Sequence, residues 1–290
     1  MSGLATSDWR FLNTAFGNAF FNMAVDEQLV RSVSSQASLP TVRVFGWKPA
    51  AVSFGYAQKI GREIDLEEVR RRGIDIVRRP TGGRAVLHWN ELTYSVVCPA
   101  DHPVVGGNIS EVYRAISQCL VTGLESLGID ARLEPGRTPV PSPRGKDVTS
   151  PCFSSTSQFE ITLQGRKLIG SAQRRIGDTV LQHGSLLLGP EHKQVVDLMP
   201  SGRERLKQAY ADQLESHTIS LQEAGSTDDF ATVAGGIRQG FETGLAARLL
   251  DTELTDEERR GVDSLVAAKY GTADWNQEDR SAEVSRRLIV

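Results

Sequence analysis

Eleven consecutive residues constrain this chain more than any other stretch. Arg78-Arg79-Pro80-Thr81-Gly82-Gly83-Arg84-Ala85-Val86-Leu87-His88 gathers three arginines, a glycine pair and a histidine. Ahead of it Ile74-Asp75-Ile76-Val77 alternates apolar and polar residues, and behind it Leu92-Thr93-Tyr94-Ser95-Val96-Val97 is rich in β-formers, so both flanks read as strands. Pro80 has no N–H to give a ladder, and Gly82-Gly83 permits backbone angles that other residues avoid. The link is therefore expected to be a sharp loop whose amides a ligand can approach, with arginines suited to an anionic group. A basic hairpin turn on the surface is the plainer alternative.

Composition narrows the classes. With 290 residues the chain is one large domain, or one plus a small appendage, and is long enough to bury a substantial core. Thirty-three basic residues against 36 acidic ones leave a net charge of −3, which points to neither nucleic acid nor a membrane surface. No stretch approaches the roughly 18 apolar residues of a membrane helix. Residues Met1 to Asp8 lack the basic and apolar regions of a secretory signal. Three cysteines, an odd count without paired spacing, fit a reducing cytoplasm and argue against a disulfide frame or a metal site.

Along the chain, Trp9 to Leu12 reads as a first strand. Asn18 to Ser34 reads as a helix burying Phe21, Ala24, Val25, Leu29 and Val33, with Asp26 and Glu27 on its other face. Thr41–Phe45 and Ala51–Phe54 read as short strands around a turn at Trp47-Lys48-Pro49. Asp65 to Arg72 is a charged, solvated helix stopped by Gly73. A helix from about Asn108 to Leu127, with Ser110 as N-cap, buries Val112, Ile116, Cys119 and Leu120. Residues 137–151, with four prolines, predict a loop. Strands follow at Phe159–Leu163, Lys167–Ala172 and Thr179–Leu188, then helices at Glu191–Leu198, Asp228–Leu250 and Thr255–Tyr270, the last opened by a Thr255/Glu258 capping box. The residues after about 190 are expected to form a packed helical extension.

Chemistry concentrates on few residues. Cys98 ends a strand and Cys119 lies on an apolar helix stripe, so both read as core. Cys152 sits among small polar residues at the exit of the Pro-rich loop and is expected to be accessible, either as a nucleophile or as an incidental cysteine. The candidate cation beside it is Lys167, fifteen positions on (167 − 152), whose side chain alternates onto one face with Ile169, Ser171 and Gln173. The bland version is an edge strand with a solvated face. His183 and Ser185 share a face of the next strand, where a lone histidine is ordinarily a hydrogen-bonded core residue.

The motifs together resemble a known family. Arg78 to His88 with Glu91-Leu92-Thr93-Tyr94-Ser95, Asn22-Met23-Ala24-Val25-Asp26-Glu27, Gly165 to Gln173 and Leu181 to Leu188 occur in the order found in lipoate–protein ligases and octanoyltransferases. Lys269-Tyr270 and Asp274-Trp275-Asn276 extend the similarity to about residue 276. The branch resembled most is the LipM-type octanoyltransferase: position 84 is Arg and position 89 is Trp where ATP-using ligases usually have glycine and an acid, and Cys152-Phe153 stands where that branch carries its acyl-accepting cysteine. The resemblance implies an α/β (α+β) fold of the biotin/lipoate ligase type, a central mixed β-sheet flanked by helices plus a small helical C-terminal extension. It suggests an N-terminal strand and helix at 1–35, a catalytic domain at 36–250 and the extension at 251–290.

It further implies Cys152 and Lys167 as catalytic residues, with Arg79, Gly82, Gly83, His88, Gly170, Ser171, Gln173, His183 and Gly184 as substrate-binding residues. The donor would be octanoyl-acyl carrier protein and the acceptor a lipoyl domain, either the glycine-cleavage H protein or an E2 subunit. No cofactor would be required. ATP and Mg2+ enter only if the chain is an ATP-dependent lipoate ligase making lipoyl-AMP, the first alternative; a non-catalytic acyl-binding relative is another.

Overall fold

The computed structural model describes residues 8–58, 60, 64–136 and 159–277; the expected loop at 137–151 and Cys152 lie outside the described residues. In chain order the elements are β1 (Asp8–Gly17), α1 (Ala19–Ser34), β2 (Thr41–Trp47), β3 (Ala51–Phe54), α2 (Leu66–Arg71), β4 (Asp75–Arg78), β5 (Val86–His88), β6 (Glu91–Pro99), α3 (Ile109–Ser126), β7 (Ala131–Pro135), β8 (Phe159–Leu163), β9 (Arg166–Ile176) and β10 (Thr179–Leu187). There follow a 3-10 helix (Pro190–Leu198), α4 (Glu204–His217), α5 (Phe230–Leu245), β11 (Arg248–Asp251), α6 (Asp256–Leu265) running into a π-helical turn (Val266–Tyr270), and α7 (Ala273–Gln277).

Eight strands make a mixed sheet in the order β11-β1-β2-β6-β10-β9-β8-β7; a second sheet runs β4-β3-β5. The expected mixed sheet flanked by helices is the one observed. Alternation sorts the strands' side chains to two faces. Leu92, Tyr94, Val96 and Cys98 of β6 join α3 and α5 in one core, with Ile116, Leu120, Val233, Ile237 and Phe241. On the opposite face Val97 and Leu181 join α1 and α6 through Val25, Leu29, Val262 and Leu265. A third cluster fills the small sheet around Val52, Phe54, Val69 and Leu87.

Several expectations change. The cap of α3 is Asn108, not Ser110: its side chain accepts from the N–H groups of Ser110 and Glu111, and the Glu111 carboxylate returns to the Asn108 N–H at 2.8 Å. The segment Pro190–Leu198 winds as a 3-10 helix. The long helix expected over Asp228–Leu250 stops at Leu245, where Ala246 turns left-handed at φ 47°, and β11 then pairs in parallel with β1. The chain after residue 190 thus supplies a strand to the main sheet as well as helices. It also returns to the core in its final turns, where Trp275 Nε1 donates to the Arg78 carbonyl and Asn276 Oδ1 accepts from the Arg78 N–H. The Thr255/Glu258 capping box and the stop of α2 ahead of Gly73, which holds φ 66°, are as expected.

Candidate active site

The arginine–glycine stretch is not a hairpin. β4 runs parallel to β3 and β5 antiparallel to it, so both flank β3, and residues 79–85 cross its end. The loop is pinned by Arg79 N–H to the Phe54 carbonyl at 2.9 Å and Tyr56 N–H to the Thr81 carbonyl at 2.8 Å. It lies so close to Gly55 that a Cβ there would sit 2.0 Å from the Gly83 oxygen, and Gly83 itself holds φ 94°. The two leading arginines face inward. Arg78, fully buried, donates to the carbonyls of Gly55, Tyr56, Gln58 and Trp275. Arg79 donates to the carbonyls of Ser53, Gly82 and Arg84 and, at 3.0 Å, to Ser53 Oγ. Their charge serves loop construction, which excludes the surface-turn reading.

Behind the loop stand two hydroxyl–histidine–carboxylate chains. In the first, Thr81 Oγ1 lies 2.6 Å from His183 Nε2, and His183 Nδ1 lies 2.9 Å from Asp26 Oδ2. Asp26 also pairs with Arg43 at 2.7 Å and accepts from Ser95 Oγ at 2.9 Å. Asp26, placed by the sequence on the helix face opposite the apolar stripe, is fully buried, because α1 is covered by the sheet on one side and by α6 on the other. Burial raises its pKa, but the His183 hydrogen bond and the Arg43 charge more than reverse this and leave it lowered. Burial also lowers the pKa of His183 against the pull of Asp26. The charges are therefore an Arg43–Asp26 ion pair beside a neutral His183, which donates from Nδ1 and accepts the Thr81 hydroxyl at Nε2.

The second chain runs Ser53–His88–Glu91. Ser53 Oγ lies 2.7 Å from His88 Nε2, and His88 Nδ1 lies 2.8 Å from Glu91 Oε1. Thr93 and Ser185 donate to the same carboxylate oxygen, and Trp47 stacks on His88 with ring centroids 4.0 Å apart. Glu91 Oε2 is buried and, among the described residues, has no hydrogen-bond partner.

Both chains border one cavity of about 250 Å³. It is lined by Arg79, Gly82, Gly83, His88, Lys167, Gly170, Ser171, Gln173, His183 and Gly184, every described candidate from the sequence, and also by Met23, Trp47, Ser53, Thr93 and Ser185. The face assignment on β9 changes, however. Thr162 pairs with Lys167 and Ile161 with Ile169, leaving Leu168 as an extra residue. The bulge rephases the strand: Lys167 falls in step with Gly170 and Ala172, which lie opposite Ser185 and His183. Ser171 points to the other face, where its hydroxyl meets Tyr94 Oη at 2.7 Å. Gly184, opposite Ser171, is confined: a Cβ there would lie 2.6 Å from the Gly170 oxygen and 2.8 Å from the Tyr94 ring. Lys167 is not on a solvated edge; β9 is interior, and the amine is 3.0 Å from Glu160. Cys98 and Cys119 are buried as expected, with burial pushing both thiols up to about 12.

The polar members that sequence reasoning missed, Arg43, Asp26, Ser53, Glu91 and Thr93, lie on α1 or at alternate positions of strands. The available signal was a charged residue inside the alternating Val42-Arg43-Val44 run.

Comparisons with known proteins identify the family. Residues 18–242 match the lipoyl protein ligase A/B catalytic domain. The octanoyltransferase LipM of Kyrpidia tusciae is 43% identical over 277 residues, covering 92% of this chain and 98% of that one. The octanoyltransferase LipM of Bacillus subtilis is 38% identical, covering 92% and 97%. Among solved structures, a bi-partite lipoate protein ligase from Thermoplasma acidophilum superposes with a TM-score of 0.77 at 23% identity, covering 94% of this chain and 97% of that one. A lipoate-protein ligase A bound with ATP gives 0.73 at 25%, covering 95% and 100%. The chain belongs to the lipoyl protein ligase A/B catalytic-domain family and, within it, to the octanoyltransferase LipM group.

Proposed function

We propose that this acyltransferase carries an octanoyl group from octanoyl-acyl carrier protein to a lysine of a lipoyl domain, that of the glycine-cleavage H protein or an E2 subunit, through a thioester on Cys152 and without nucleotide or metal. The observation that carries the reading is Lys167, a largely buried ammonium lining the cavity beside Gly170 and held by Glu160 of the strand that follows the Cys152 segment. A cation in that setting favours a thiolate over a thiol. Elimination supports the same residue, since two of the three cysteines are buried with raised pKa values. Cys152 stands seven positions before Phe159 (159 − 152), a length of chain that reaches at most about 25 Å.

In the first half-reaction the thiolate attacks the carrier's thioester carbonyl, and the carrier thiol leaves. Exchange of one thioester for another is close to thermoneutral, so no nucleotide is needed. In the second, the lysine amine attacks the enzyme thioester and forms an amide, the downhill step. Two sequential transfers predict ping-pong kinetics. Arg78 and Arg79 face backbone carbonyls, which suits an acyl site better than a clamp on a polyphosphate. Apolar walls fitting successive methylenes would discriminate chain length by about 0.8 kcal/mol each.

Intact-protein mass after mixing with octanoyl-acyl carrier protein, no nucleotide present, tests the reading. A gain of one octanoyl group, removed by hydroxylamine and absent from Cys152→Ser, is expected. Transfer by Cys152→Ser at the wild-type rate, or pyrophosphate release dependent on a free acyl acid, overturns it.

A further inference from the structure

We propose that Ser53, His88 and Glu91 form a proton relay that deprotonates the acceptor lysine in the second half-reaction, with Ser53 meeting the amine and His88 and Glu91 acting through it. The inference rests on the acyl-enzyme reading above. A lysine side chain in water is an ammonium, and an ammonium has no lone pair with which to attack a thioester. Some group in the cavity must take its proton.

Hydrogen-bond direction leaves this chain able to accept a proton at its hydroxyl end. Arg79 has only donors and gives one to Ser53 Oγ at 3.0 Å, so the Ser53 hydrogen is left for His88 Nε2 at 2.7 Å. His88 then carries its proton on Nδ1, directed at Glu91 Oε1. Ser53 keeps one lone pair and lines the cavity. A proton arriving there passes to His88 Nε2 through the hydroxyl, and the resulting imidazolium is balanced by the carboxylate. Glu91 has no lysine or arginine at ion-pair distance among the described residues, and His88 is the cationic partner it acquires. The stacked Trp47 and the Thr93 and Ser185 hydroxyls fix ring and carboxylate without supplying charge.

The other titratable or charged groups near this ring are Arg79 and Arg84 of the loop, Lys167 on β9 and His183 on β10, all lining the cavity, with His192 near Glu91. His183 is already committed to Asp26 and Thr81, and Lys167 to Glu160.

The step balances. The acceptor ammonium loses one proton to the relay, its nitrogen bonds to the acyl carbon, the carbon–sulphur bond breaks and sulphur leaves with the electron pair. The second nitrogen proton goes to the leaving thiolate. The products are amide, thiol and a protonated His88 that returns its proton to water.

The test isolates the octanoyl-enzyme and follows its single-turnover discharge from about pH 6 to 9, to a lipoyl domain and to hydroxylamine, which is neutral near pH 7 and needs no prior deprotonation. His88→Gln is expected to discharge to the lipoyl domain about 100-fold more slowly near pH 7, with a rate that keeps rising toward pH 9 as deprotonation of the lysine by bulk solvent takes over. Its discharge to hydroxylamine should change only a few-fold. Ser53→Ala, a small truncation, should show the same split. Discharge of both variants to the lipoyl domain at the wild-type rate overturns the relay, as does an equal loss toward both nucleophiles. A wild-type enzyme that forms no octanoyl adduct removes the underlying reading, and the relay with it.

Discussion

The two hydroxyl–histidine–carboxylate chains differ in what balances their charge. Thr81–His183–Asp26 is closed. Arg43 and Ser95 occupy one Asp26 oxygen and His183 the other, and an ion pair already neutralises the site. Ser53–His88–Glu91 is open, with one carboxylate oxygen lacking a partner among the described residues and Ser53 lining the cavity. The same three residue types thus make a brace where a permanent cation sits beside the acid. They make a proton acceptor where the histidine must become that cation. Hydroxyl–histidine–carboxylate geometry alone does not identify chemistry; the counter-charge does.

The largest effect expected from this contrast is on the closed chain. Arg43→Met leaves the Asp26 carboxylate buried without its cation, at a cost of about 3–5 kcal/mol. Denaturant unfolding should show that loss, and the thermal midpoint should fall by about 10 °C. A variant as stable as wild type would mean that Asp26 is not held charged, and the contrast with Glu91 would collapse.

An intermediate effect concerns acid. His183 is kept neutral by burial, so its folded-state pKa lies below that of the unfolded chain. The unfolded chain then binds a proton that the folded chain refuses. The stability this gives is fully present above the unfolded value of about 6.5 and drains away as pH falls toward the folded pKa. His192, held down to about 4 by burial, adds a loss on the order of 3 kcal/mol between about pH 6.5 and 4. Asp26, lowered as a carboxylate, adds its own loss only below about pH 4. Unfolding free energy measured at pH 7 and at pH 5 should therefore drop in the wild type and drop less in His183→Gln. Equal slopes would show that the closed chain is not the acid-labile one.

Much of this architecture is legible before any coordinates, and what is not has one physical cause. Thr255 with Glu258, Gly73 past α2, and the alternating strand β8 announce themselves because their signals are local. The cavity residues from Arg79 to Gly184 come from motifs and do converge. Asp26, Arg43, Ser53 and Glu91 hide because alternation tells which face a side chain takes and not what covers that face. All seven residues of β2 are buried, so a position that reads as solvated is instead a buried ion pair. β11 is four residues long and carries no period of its own; only β1 makes it a strand. The Leu168 bulge is likewise a property of the pair β8–β9, and it moves Lys167 to the opposite face from the one its own strand predicts.

The smallest expected effect discriminates best. Glu91→Gln removes a buried charge that no lysine or arginine balances among the described residues, while the amide oxygen can still accept from Thr93, Ser185 and His88. The new amide N–H group takes the place of an oxygen with no partner, so a modest desolvation cost offsets the relief of charge burial. Stability should change by about 1 kcal/mol or less in either direction. Transfer to the lipoyl domain should nevertheless slow, because a neutral amide does not balance an imidazolium. The two measurements pull apart only if the open chain works through its charge. If Glu91→Gln instead unfolds as readily as Arg43→Met, both carboxylates are braces, and the difference between the two chains reduces to which of them happens to face the cavity.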